Sequence, residues 1–212
     1  MRTIVSALFA SVVALTAMPA RAQLGSQGDA ILSAERLFGV RGESRDEDRP
    51  APAADFEYSQ LVIGFGFADH LVPYNIPRLA FDYTVINKLT LGGAVGFSSA
   101  DLELRGAGSE TTTTFLFAPR IGFLHMFGRV AGIWARGGFA YHRSAQEDDY
   151  VESGFGLNLE AHIPIVFVEH FGMTLGFTFD RSLTANYDPI DSVDYPITYQ
   201  SFALQVGLFG WL

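Results

Sequence analysis

The chain is 212 residues long, 49% hydrophobic, with 19 Phe and no Cys. That length suits one domain, and the lack of cysteine excludes disulfides, thiolate metal sites, cysteine nucleophiles and a cysteine-linked lipid anchor. Acidic residues outnumber basic ones, 23 Asp+Glu against 14 Lys+Arg, Lys88 is the only lysine and the arginines are scattered, which argues against nucleic acid as a partner.

Met1-Arg2, an apolar run from Ile4 to Met18 and the ending Ala20-Arg21-Ala22 form the pattern of a secretory signal peptide over residues 1–22. The run is shorter than the roughly 20 residues a spanning helix needs. Without Arg2 and Arg21, 12 basic residues face 23 acidic ones, a net charge of −11. Residues 23–55 are expected as a periplasmic lead-in or linker, because Arg41–Asp55 (RGESRDEDRPAPAAD) is charged and rich in Pro and Ala. Arg36–Glu43 is the alternative first strand.

From Phe56 a period of two takes over, and 56–212 is expected as the folded domain. Segment Phe56–Gly66 carries Leu61, Ile63 and Phe65 on one face. Arg78–Ile86 alternates Leu79, Phe81, Tyr83 and Val85 with Arg78, Ala80, Asp82 and Thr84. Asn87-Lys88 turns the chain into Leu89–Asp101, and a polar loop over Arg105–Glu110 precedes Thr111–Phe127. Gly128-Arg129 leads into Val130–Ser144, where Trp134, Arg136 and Gly138 share one face. After an acidic loop, Gly154–Phe167 and Phe171–Asp180 form a hairpin about Glu169-His170, with Phe155, Leu159, Ile163, Phe177 and Phe179 on one face and Gly, Thr, Glu160 and Asp180 on the other. A second acidic loop over Ala185–Pro196 precedes the last segment, Thr198–Leu212.

Phenylalanine at alternate positions with no long apolar run fits strands with one face in hydrocarbon, and glycine beside isolated charges fits a crowded barrel interior. The fold class is therefore all-β: a closed antiparallel transmembrane β-barrel of eight strands, with ten as the fallback if Arg36–Glu43 and an irregular partner also span. A soluble secreted barrel is the competing reading. Short turns at Asn87-Lys88, Gly128-Arg129 and Glu169-His170 alternate with longer loops, so the short turns and both termini are expected in the periplasm.

Phe202, Leu204, Val206 and Leu208 alternate toward the ending Gly210-Trp211-Leu212. This resembles the C-terminal assembly signal of bacterial outer-membrane β-barrel proteins, with Trp one place before the end. The segment pattern resembles small barrels of the OmpA-transmembrane or OmpX type, and the phrases PRLAFDY, APRIGF and IWARGG resemble an uncharacterised outer-membrane family. The resemblance implies an outer-membrane location, with outer-membrane lipid and the barrel-assembly machinery as partners. It implies no activity and no cofactor.

Arg78, Asp82, Arg120, Arg136, Glu160, His162 and Asp180 share the interior parity. Eight strands leave an interior that side chains can fill, so these residues are expected as an ion-pair network plugging a structural or surface-interaction barrel. Arginines facing carboxylates would alternatively line a narrow pore for small solutes or ions. His142, Ser144 and the nearby Asp148, Asp149 and Glu152 contain the residue types of a hydrolytic triad acting on lipid, but no surrounding motif supports an enzyme. The acidic loops EDDYVE and DPIDSVDYP lack the spacing of a calcium loop, and the histidines show no metal-ligand pairing.

Overall fold

The computed structural model describes residues 24–49, 56–65, 72–104, 108–146, 150–189 and 194–212. The two-residue alternation becomes nine antiparallel strands: β1 (Ala30–Glu47), β2 (Phe56–Phe65), β3 (Arg78–Ile86), β4 (Leu89–Leu104), β5 (Gly108–Met126), β6 (Gly132–Gln146), β7 (Tyr150–Val168), β8 (Phe171–Pro189) and β9 (Tyr195–Trp211). Consecutive strands pair from β3 to β9, and β1 pairs with β3 on one edge and with β9 on the other. The ring thus closes with eight strands, β1 and β3 to β9. Closure at β1–β9 and β1–β3 removes the sheet edges that a membrane interior cannot hydrogen-bond, except that among the described residues β2 pairs with β1 alone and β4 beyond Gly96 with β5 alone.

The expectation of a lead-in over 23–55 is corrected. Ala30–Glu47 is a full ring strand, running along β9 from Ile31↔Trp211 to Glu47↔Ile197. The signal-peptide span and residues 50–55 lie outside the described residues. Phe56–Gly66, expected as the first ring strand, forms β2 over Phe56–Phe65 and shares a place with β3. The lower half of β1 pairs with β3 (Glu35↔Arg78) and its upper half with β2 (Phe38↔Phe65). Two segments on one ring position keep the count at eight although β1 spans. Between them Val72–Ile76 turns inward and is buried, with a single 3-10 turn at Pro73–Asn75. Gly156 makes room for this insertion, since a Cβ there would meet the Tyr74 hydroxyl.

The longer loops are shorter than expected. β4, β6 and β8 run on to Leu104, Gln146 and Pro189, and β5, β7 and β9 begin at Gly108, Tyr150 and Tyr195. Residues 105–107 of the polar loop, and 147–149 and 190–193, which hold part of the acidic loops, lie outside the described residues.

The outer face carries a belt of exposed apolar side chains. Phe97 is 67% exposed, Phe139 58% and Phe155 55%. Exposed rings repeated around a closed sheet form a continuous patch that water would not tolerate and hydrocarbon would. Inside, two apolar clusters bracket the barrel. Ile31, Leu124, Met126, Trp134, Phe209 and Trp211 fill the short-turn end, with Leu24 tucked among them. Tyr74, Ile76, Leu116, Ile197 and Tyr199 form part of a second cluster toward the long loops.

The segment before β1 closes the short-turn end as a strap. Gly25 O accepts from Lys88 N (2.9 Å), Gly28 N donates to Thr84 O (2.9 Å), and Gln27 N donates to Asn87 Oδ1 (2.9 Å). Asp29 Oδ2 accepts from the amides of Gly25 (2.7 Å) and Ser26 (2.9 Å), which organises the turn. Burial raises the Asp29 carboxyl above its ordinary pKa, against the opposing pull of these hydrogen bonds.

Candidate functional site

The interior side chains follow from strand parity: every second residue of each strand points inward. Arg78, Asp82, Arg120, Arg136, Glu160, His162 and Asp180 are all buried. They come from β3, β5, β6, β7 and β8 and meet between the two apolar clusters. Arg120 donates to Asp82 through Nε (3.0 Å), and its Nη1 lies 3.5 Å from Glu160. Arg136 reaches Glu160 at 2.6 Å and lies over the Trp134 ring with 4.3 Å from Cζ to the centroid. Arg78 lies 3.6 Å from Asp180, and His162 lies 3.8 Å from Glu160 at the margin of the group.

Two members were missed by the sequence reading, and both lie on β1. Glu35 accepts from Arg120 at 2.7 and 2.8 Å and from Arg136 at 2.6 Å. Arg36 donates to Asp180 (2.8 Å) and lies 3.4 Å from Glu160. Consecutive residues of a regular strand cannot share a face. Here β1 takes four steps from Ala34 to Phe38 while β9 takes two, from Leu208 to Val206. The bulge puts Arg36 at φ 59°, a left-handed conformation disfavoured for a long side chain, and turns it inward beside Glu35. Four arginines (36, 78, 120, 136) then face four carboxylates (Glu35, Asp82, Glu160, Asp180). Each charge has an opposite neighbour, which a buried charge requires.

The inward turn is bound into this group. Tyr74 O accepts from Arg36 Nη1 (2.5 Å) and Arg78 Nη2 (2.9 Å). Asn75 donates to Glu43 and accepts from Ser201 Oγ (2.8 Å). Above it, Arg41, Glu43, Arg45 and Glu47 alternate in sign along the inner face of β1. Arg45 reaches Glu47 at 2.6 Å and Glu152 at 3.4 Å.

The triad residues are not assembled for hydrolysis. His142 Nε2 lies 3.5 Å from Glu152, but the Ser144 hydroxyl is bonded to Thr114 Oγ1 (2.9 Å), and all three side chains are buried. A nucleophile must be within reach of its base. Ser144→Ala is therefore expected to leave purified protein and its surrounding lipid chemically unchanged from wild type, as read by lipid mass spectrometry. Lipid cleavage that vanished in this variant would overturn that expectation. Asp148 and Asp149 lie outside the described residues. Among the described residues no group of three or more His, Asp or Glu side chains is arranged to hold a metal ion.

No family model matches the chain, and no curated protein matches it. Solved structures do. Outer-membrane protein AlkL, determined in lipid bilayers, is similar with a TM-score of 0.57 at 13% identity, covering 92% of this chain and 95% of that one. Outer-membrane protein OprG from Pseudomonas aeruginosa is similar with a TM-score of 0.52 at 12% identity, covering 89% and 99%. Likeness at this identity concerns the fold. The closed ring, the exposed apolar belt and these structures agree: the chain is a small eight-stranded β-barrel of the bacterial outer membrane.

Proposed function

We propose that this barrel is closed along its axis and acts through its surfaces, as a structural or surface-interaction protein, rather than as a pore or an enzyme. The observation that carries this reading is the order of layers inside. A solute entering from the short-turn end would meet the Leu24–Trp134–Phe209 cluster first, then the ion-paired layer, then the inward turn about Tyr74. Displacing paired charges costs several kcal/mol per uncompensated ion, roughly 3–5 kcal/mol. The long-loop end offers the contact surface. Tyr150, Tyr187 and Tyr195 stack in a row with centroids 4.7 and 4.9 Å apart, next to Glu47. Stacked aromatic rings with polar edges suit recognition of a partner. We assign the C-terminal strand a second role, as the segment the barrel-assembly machinery engages before β9 closes on β1.

Planar-bilayer recording tests the reading. Wild-type protein is expected to give no steady channels. Regular openings whose conductance or ion preference changed in Arg120→Ala would replace it with the narrow-pore reading.

A further inference from the structure

The short-turn rim carries a feature that barrel closure does not explain. β3 and β4 turn back at Asn87-Lys88, while β5 runs on past Phe123, the partner of Leu89, to Met126. The mismatch leaves a notch of about 350 Å³ lined by Leu24, Ser26, Asn87, Lys88, His125 and Met126, among others. It sits where the apolar belt ends. His125 has the outward parity, between the exposed rings of Phe123 and Phe127, and its ring lies edge-on to Phe127 with centroids 5.2 Å apart. Lys88 is the only lysine in a strongly acidic chain, and its side chain is exposed. Arg129 is exposed in the turn that follows β5. Asp29, the nearby acid, spends its Oδ2 on the amides of Gly25 and Ser26.

Lys88 also stands where turn chemistry disfavours it. Its φ is 73°, the left-handed region that a tight hairpin normally gives to Gly or Asn. Gly128 takes φ 117° in the next short turn, and His170 takes φ 65° in the third. At Lys88 the backbone is held from both sides, N donating to Gly25 O (2.9 Å) and O accepting from Leu124 N (2.7 Å).

We propose that the notch binds the phosphate of a glycerophospholipid from the leaflet on the short-turn side, with the Lys88 ammonium and a His125 ring nitrogen as donors and the acyl chains along Phe123 and Phe127. The ligand is a lipid rather than a free anion because His125, set between the exposed rings of Phe123 and Phe127, lines the notch together with the apolar side chains of Leu24 and Met126. An ammonium at the interface meets phosphate with a charge-assisted hydrogen bond, the stronger kind.

Native mass spectrometry of the barrel released from bilayers tests this with three probes: dioleoylphosphatidylglycerol, dioleoylglycerol without phosphate, and inorganic phosphate. Wild type is expected to keep one phosphatidylglycerol and no dioleoylglycerol. Lys88→Gly is expected to lower lipid retention about tenfold, the scale of one hydrogen bond to a charged group, while the folded band on a gel persists, because glycine suits the left-handed turn. Lys88→Arg is expected to keep the lipid. Wild-type retention in Lys88→Gly would overturn the proposal. Equal retention of dioleoylglycerol, or displacement of the lipid by millimolar phosphate, would overturn it as well, the first by removing the role of phosphate and the second by making the site one for a free ion.

Discussion

Replacing Arg120 with Met is expected to destabilise the folded barrel by about 3–5 kcal/mol, the cost of leaving buried charge without its partner. Arg120 holds Glu35 through both terminal nitrogens at 2.7 and 2.8 Å and Asp82 through Nε at 3.0 Å. Without it, Arg136 is left to face Glu35, Asp82 and Glu160, at 2.6, 3.9 and 2.6 Å. Urea unfolding of the reconstituted barrel measures the loss. Arg129→Met, in an exposed turn, is the matched control and is expected to stay within about 0.5 kcal/mol of wild type. Adding Asp82→Asn to Arg120→Met removes the excess negative charge and is expected to recover part of the loss, because neighbours in one network do not act additively. An Arg120→Met variant as stable as the control would mean that these charges are not dependent on one another.

A chain that begins at Phe56 is expected to form no closed barrel. Sequence pattern alone assigns the whole domain to 56–212, so this truncation separates the two descriptions directly. Removing β1 exposes the edges of β3 and β9 from Arg78 to Tyr83 and from Ile197 to Trp211. Each backbone group left unsatisfied in hydrocarbon costs several kcal/mol. The same cut removes Glu35 and Arg36, taking a carboxylate from Arg120 and Arg136 and a guanidinium from Asp180. The measurement is heat-modifiable gel mobility together with protease protection in liposomes, both expected to be lost. A truncated chain that still migrated as a compact, heat-sensitive species would show that β2 and β3 can close the ring without β1.

The site was partly legible because parity is local. Once a strand is recognised, Glu160 and Asp180 must lie on the face opposite Phe155 and Phe179, and Arg120 opposite Phe117 and Ile121. The inward position of all seven residues singled out from the sequence rests on that rule. Glu35 and Arg36 escaped it because the bulge puts two consecutive residues inside, which a period of two cannot express. A second signal was present in the run read as a linker. Arg41, Glu43, Arg45 and Glu47 alternate in sign on one parity, with Gly42, Ser44 and Asp46 between them. Alternating charge on one face of a strand can neutralise itself inside a barrel, whereas a linker has no need of that phase.

The fold class and the outer-membrane location are written in the sequence, because hydrocarbon on one side and a crowded interior on the other impose an alternation that reads strand by strand; the count of eight agrees because omitting β1 offset counting β2 and β3 as separate ring strands. Only the tertiary structure decided which segments make the ring, that β2 and β3 share one place in it, and that β1 supplies the missing members of the charged layer. Those outcomes depend on pairing between residues far apart in the chain, such as Ile31 with Trp211 and Glu35 with Arg120. Local periodicity fixes which way a side chain points, but not which strand will lie beside it.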